Sequence, residues 1–167
     1  DNIKDTHKAV VDEVIPSVLS LGEVHRVLQN LLTEQVSIRD LPLILEVLGA
    51  VGRQNKNSDV MTEYVRNGLK SQICEGLKGM DNTMKVITLD PNLEAMLEGA
   101  LMEYDGGVKL NLSPTDAGRI IEAVGRSVEE AKLMGEMPVA VASPVIRLQM
   151  KRLVEGNYPE LVVLSYN

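Results

Sequence analysis

The sequence predicts an α+β chain: a small all-helical subdomain over residues 1–78, followed by a small four-stranded β-α-β-α-β-α-β (α/β) subdomain over residues 79–167. Three observations carry this. Up to about residue 78, apolar residues recur at steps of three and four, the spacing of one helical stripe. From residue 79, short β-branched runs alternate with such stripes, the pattern of strands joined by helices. Asp or Ser is followed by Pro at a helix start three times, at Asp90-Pro91, Ser113-Pro114 and Ser143-Pro144. There turn chemistry and hydrophobic period agree.

The helical half is organised around Leu21–Leu41. Leu21, Val24, Val27, Leu28, Leu31 and Leu32 fall on one stripe of a helix running to about Gln35. Ser20 followed by Glu23 forms a capping box. A short helix over residues 6–15 precedes it, with Thr6 as N-cap and Pro16 as its stop. A third helix opens at Ser37 or Asp40, because Pro42 fits only a first turn. Its inward residues are Leu41, Ile44, Leu45, Leu48 and Val51. Ser58 caps a fourth helix that runs to residue 78, with Met61, Tyr64, Val65, Leu69, Ile73 and Leu77 on one face.

In the second half, residues 84–89 read as a strand. A helix after Asp90-Pro91 carries Leu93, Met96, Leu97, Ala100, Leu101 and Tyr104 on one face. Asp105-Gly106-Gly107 turns the chain into a strand at 108–112. A long helix with Ala117, Ile121, Val124, Val128 and Ala131 as its stripe leads to a strand at 138–142. A helix with Ile146, Met150 and Leu153 leads to a last strand at 161–165. Helical connections favour parallel strands with right-handed crossovers, with one antiparallel edge allowed for.

Composition narrows the function classes. The chain has 167 residues, 44% hydrophobic and 25% charged, as a folded chain would. It has four Tyr, no Phe and no Trp, so Leu, Val, Ile and Met must fill its core. Few aromatic platforms are available for stacking bases or sugars. A net charge of −7 argues against nucleic-acid binding and against adsorption to anionic lipid. One Cys excludes an internal disulfide. No apolar run approaches the ~20 residues of a membrane span. The chain opens in mid-pattern at Asp1, without an initiator Met or a signal peptide, and is expected to be a fragment of a longer protein.

A search for chemistry finds little. His7 and His25 lie on separate helices with no Cys or carboxylate at ligand spacing, so surface roles outweigh metal binding. Cys74 lies beside Ile73 on an apolar face and reads as packing. Asp90 and Ser143 stand where α/β domains bind ligands, but the turns lack the glycines that let a backbone approach a pyrophosphate. They read as helix caps before they read as a small-anion site. The acids Glu94, Glu98, Glu122, Glu129 and Glu130 read as a solvated face. Arg147, Lys151 and Arg152 form a basic face, for intramolecular ion pairs or for a protein interface. No catalytic residue, cofactor or metal site is expected.

Longer motifs carry a resemblance. VLQNLL at 27–32, VSIRDLPLILEVL at 36–48, TEYVRNGLKSQIC at 62–74 and VITLDPNLEAML at 86–97 stand in order. PVAVASPVIRLQMKRL at 138–153 and PELVVLSYN at 159–167 complete the series. Together they resemble the FlhA family, the export-gate proteins of flagellar and virulence-type type III secretion.

The resemblance implies a match to the third, helical, and fourth, α/β, subdomains of the family's cytoplasmic domain. That domain forms a homo-nonameric ring below the export channel, at the cytoplasmic face of the bacterial inner membrane. It is a non-enzymatic platform that receives export substrates and substrate–chaperone complexes together with other export-apparatus proteins. The family's chaperone cleft lies between its first two subdomains, so no docking residue is carried onto this chain. The third subdomain contributes to ring packing, which suggests inter-subunit contact at the polar corner Ser37, Ile38, Arg39 and Asp40 and along helix 58–78. The resemblance favours a flagellar over a virulence-type protein; the rival from another class is a small-ligand-binding α/β domain.

Overall fold

A computed structural model describes residues 8–166. The chain divides into two compact units, Asp1–Leu77 and Lys78–Asn167.

The first unit contains α1 (Lys8–Val14), α2 (Leu21–Thr33), α3 (Leu41–Val51), α4 (Ser58–Gly68) and α5 (Lys70–Leu77). Thr6 and His7 lie outside the described residues. The capping box at Ser20 forms as expected: Glu23 N–H donates to Ser20 Oγ and Ser20 N–H to Glu23 Oε1. Those same bonds hold the Glu23 carboxyl below its usual range. Val24, Val27 and Leu31 are buried, but Leu21 and Leu32 are 70% and 52% exposed. The stripe is therefore narrower than the spacing suggested. It meets Ile44, Leu45 and Leu48 of α3 and Met61, Val65 and Leu69 of the α4 region in one apolar core.

The helix read as continuous over 58–78 is two helices. α4 ends at Gly68, and Leu69 caps it with its N–H turned back to Val65 and Arg66. A β-carbon at Gly68 would stand 3.2 Å from Val47 Cγ2, so the glycine sits where α3 and α4 approach closely. Tyr64, expected inside, is exposed. The N-cap of α4 is Asn57 rather than Ser58.

The second unit contains β1 (Ile87–Thr88), α6 (Pro91–Gly99), β2 (Leu101–Tyr104), β3 (Gly107–Leu110), α7 (Pro114–Leu133), β4 (Val139–Ala142), α8 (Arg147–Val154) and β5 (Val162–Ser165). The mixed helix-and-strand class holds, but a single four-stranded β-α-β-α-β-α-β sheet does not form. The described residues form a three-stranded parallel sheet, ordered β1-β4-β5, and a separate antiparallel hairpin of β2 and β3.

Two differences explain this. Helix α6 stops at Gly99, and Leu101–Tyr104, expected to continue it, are a strand. The two-residue connection Asp105-Gly106, with Gly106 at φ +111, then folds β3 back onto β2. Glycine adopts that backbone without a Cβ penalty. The strand read at 84–89 is confined to Ile87 and Thr88, which pair with Ala140 and Val141. The core of this unit joins Leu97, Ile120, Val124 and Val128 to Ala140, Ala142, Met150, Val154 and Val163. At Gly125, within α7, any β-carbon would overlap the Tyr158 ring, so that glycine is the seat of the tyrosine.

Candidate docking and assembly surface

The corner between α2 and α3 is built from helix-end chemistry. Helix α2 closes in a Schellman motif: Gln35 N–H bonds Leu32 O at 2.9 Å and Val36 N–H bonds Leu31 O at 2.9 Å. Gln35 takes the left-handed position at φ +59. Val36 and Leu31, both buried, are the hydrophobic contact that accompanies the motif. Arg39 N–H then donates to Ser37 Oγ at 3.2 Å. Asp40 caps α3, with Leu43 N–H on Oδ1 at 3.4 Å. Its other oxygen accepts Gln72 Nε2 at 2.8 Å, tying the corner to α5.

The four corner residues therefore divide by role. Ile38 packs against the helical core and Asp40 is half-buried as a cap, whereas Ser37 and Arg39 project into solvent. Surface chemistry at the corner rests on an exposed guanidinium and a hydroxyl. Helix α5, with no buried residue of its own, extends the exposed surface beside Asp40. A groove of about 490 Å³ lies between α1 and α3, with Val10, Val14 and Leu45 among its lining and Glu13, Glu46 and Arg53 as its charged groups.

A polar seam lies inward of the corner. Thr62 and Arg66, 5% and 7% exposed, occupy the buried face of α4. Asn30 Nδ2 donates to Thr62 Oγ1 at 3.1 Å, and Arg66 Nη1 stands 3.6 Å from Glu34 Oε1. Asn30 and Glu34, the latter the C-cap of α2, are four apart; Thr62 and Arg66 are four apart on α4. Those matched spacings are the sequence signal for the seam, and a reading confined to apolar residues passes over it.

The basic face expected on the last helix is largely internal. Arg147 is 1% exposed and donates through Nη1 to Val163 O at 2.9 Å. Lys151 is 5% exposed; its Nζ donates to Leu161 O at 2.7 Å and Pro159 O at 3.2 Å and pairs with Glu155 Oε2 at 2.7 Å. Val163 and Leu161 belong to or adjoin β5, which borders the sheet. Buried cations from α8 thus satisfy carbonyls along that border. Arg152 remains on the exposed side.

The two turns considered for small anions are occupied by the chain itself. Asp90 accepts Asn92 N–H at 2.7 Å as the N-cap of α6. Ser143 N–H donates to Glu94 Oε1 at 2.9 Å, and Ser143 Oγ accepts Val145 N–H at 3.3 Å. A carboxylate of the chain stands where an external anion would have to bind. His25 is exposed on α2, and Cys74 is half-buried on α5. Among the described residues, no group of three or more His, Cys, Asp or Glu is placed to hold a metal ion. No described helix is long and apolar enough to cross a membrane.

Comparison with known proteins fits this architecture. The chain is 35% identical over 167 residues to the flagellar biosynthesis protein FlhA of Bacillus subtilis, covering all of this chain and 25% of that protein. The Chlamydia pneumoniae CdsV protein, solved in complex with CdsO, superposes with a TM-score of 0.89 at 28% identity, over 99% of this chain and 48% of that one. The nonameric SctV-C of EPEC superposes with a TM-score of 0.88 at 27% identity, over 99% of this chain and 49% of that one. The chain thus spans about a quarter of the length of the flagellar relative and about half of the solved chains. The model of the FHIPEP family matches residues 1–167 throughout, and the chain belongs to that family.

Proposed function

We propose that this chain is part of the cytoplasmic domain of a flagellar protein-export gate, and that it works by docking and ring assembly rather than by catalysis. The observation that carries this reading is the close superposition on a chain solved as a nonamer. The 35% identity to a flagellar FlhA supports the flagellar assignment. Residues 1–78 and 79–167 are its third and fourth subdomains. The parent protein is held at the cytoplasmic face of the bacterial inner membrane, with its membrane contact outside this stretch. Its partners are other copies of itself in a homo-nonameric ring, other export-apparatus proteins, export substrates and substrate–chaperone complexes. The complex of CdsV with CdsO supports a partner-binding role for the same fold.

Within the ring, the corner Ser37, Ile38, Arg39 and Asp40 faces a neighbouring subunit. Ser37 and Arg39 make the contact, and Ile38 and Asp40 hold the corner in shape. The exposure of Arg39 supports this division. The test is site-specific crosslinking from a photoreactive residue replacing Arg39 in the full-length protein in motile cells. Adducts joining two copies are the expected result. Adducts confined to one copy, with motility retained by Arg39→Glu, would overturn the assignment.

A further inference from the structure

Glu94 belongs to the first turn of α6, yet its carboxylate serves residues far from that helix. Oε1 accepts the Ser143 N–H at 2.9 Å, and Oε2 accepts the Tyr166 hydroxyl at 3.0 Å. These partners are 49 and 72 positions away in sequence. Ser143 directly follows β4, and Tyr166 directly follows β5. One side chain therefore bridges the helix after β1, the turn after β4 and the residue after β5, all at the same end of the parallel sheet.

Tyr166 is held only weakly by other means, whereas Ser143 is also fixed by its own turn, its carbonyl accepting the Ile146 and Arg147 N–H groups at 3.0 Å. The Tyr166 N–H reaches Ala142 O at 3.2 Å, a long bond at the end of the ladder, and the residue is 50% exposed. Ser143 is 6% exposed, so its N–H would lack ready access to water without Glu94. A carboxylate receiving one N–H and one O–H makes charge-assisted bonds, stronger than neutral ones.

We propose that Glu94 is a latch that pins Tyr166 to the strand-end face of the sheet, so that the direction in which the chain leaves β5 is set by a releasable side-chain contact. The ladder of β4 and β5 ends on its own register from Val139↔Val162 to Ala142↔Ser165, so opening the latch leaves the sheet paired. Release costs the two bonds to the carboxylate, and the Ser143 hydroxyl is a further partner of the Tyr166 phenol. The Glu94 charge also holds the Tyr166 phenol above its usual range, because the hydroxyl proton is the one shared with the carboxylate. Glu98, one turn further along α6, adds to that effect from the same side.

The experiment is amide exchange and backbone relaxation by NMR on the 167-residue chain, comparing wild type with Glu94→Ala, Glu94→Gln and Tyr166→Phe. With the latch open in Glu94→Ala, the Ser143 amide exchanges about tenfold faster or more and the Tyr166 backbone gains fast motion, while Val163 and Leu164 keep their protection. Glu94→Gln, which keeps an acceptor without the charge, lies between Glu94→Ala and wild type. Tyr166→Phe frees Tyr166 and spares Ser143. The Tyr166 phenol titration moves down toward the ordinary tyrosine range in both Glu94 variants. Unchanged Tyr166 relaxation in Glu94→Ala would overturn the latch. So would loss of protection throughout β5, which would make Glu94 a general support of the sheet.

Discussion

The two units solve the same problem, satisfying buried backbone, in opposite ways. In the helical unit each helix bonds its own peptide groups, and what remains are the ends. Those are closed by local devices: the Ser20–Glu23 box, the Asp40 and Asn57 caps, and the Schellman turn at Gln35. In the second unit the border strand β5 presents carbonyls that no strand among the described residues pairs, and α8 buries Arg147 and Lys151 to reach Val163 and Leu161. A sheet border left bare invites pairing with another chain. The comparison teaches what the buried cations serve: along the sheet border Arg147 and Lys151 donate to backbone carbonyls, whereas in the helical unit buried Arg66 pairs with the Glu34 side chain.

The largest expected effect tests that contrast directly. Arg147→Ala removes a buried side chain together with its bond to the Val163 carbonyl, and should cost about 3–5 kcal/mol by urea denaturation. Lys151→Met keeps most of the volume but orphans the Leu161 carbonyl and Glu155, and should cost about 2–3 kcal/mol. Thr62→Val in the helical unit removes a hydroxyl that accepts from Asn30 and donates to Ser58 O, bonds accessory to helix packing, and should cost about 1 kcal/mol. If Thr62→Val proves as damaging as Arg147→Ala, the contrast between the units is gone.

Smaller effects sharpen the helical side. Gln35→Gly relieves a left-handed residue at the Schellman position and should stabilise by about 0.5–1 kcal/mol, read from the urea midpoint. The corresponding turn after α7 already has Gly135 at φ +72, with Glu136 N–H on Ala131 O and Gly135 N–H on Lys132 O. Smallest is the capping box. The Glu23 carboxyl is lowered in the folded chain, so its contribution is present above the ordinary carboxyl pKa and lost as pH falls through the folded value. Glu23→Gln should therefore lower stability slightly at pH 7, leave it unchanged in acid below the folded value, and so flatten the acid limb of the stability curve.

The residues differ in how far they could be read from the chain alone. The ends of α2, α3, α6 and α7 were legible because their caps act within three residues, at Ser20, Asp40, Asp90 and Ser113. The stripe of α2 was legible in its centre and too wide at Leu21 and Leu32, since periodicity marks a face without stating how much of it a partner covers. Leu101–Tyr104 reads as helix from the sequence because Leu97, Ala100, Leu101 and Tyr104 keep helical spacing, yet it is a strand. The turn at Asp105-Gly106 is legible too, but the sequence reading has it join a helix to a strand, where it joins two strands. At the corner, Asp40 as a cap was readable, whereas the outward direction of Arg39 was not.

Sequence alone determined the family motifs, most helix ends and the apolar stripes, because each depends on residues within a turn or two of one another. Tertiary structure decided which polar groups went inside. Nothing local marks Arg147 or Lys151 as buried, or Glu94 as a bridge across the sheet end, and the spacing of Thr62 and Arg66 does not say which helix they meet. Thr62 meets a partner 32 positions away, Arg147 one 16 away, Lys151 one 10 away and Glu94 partners 49 and 72 away. A polar side chain enters a core only where such a partner compensates its lost water, and that pairing exists only once the chain has folded.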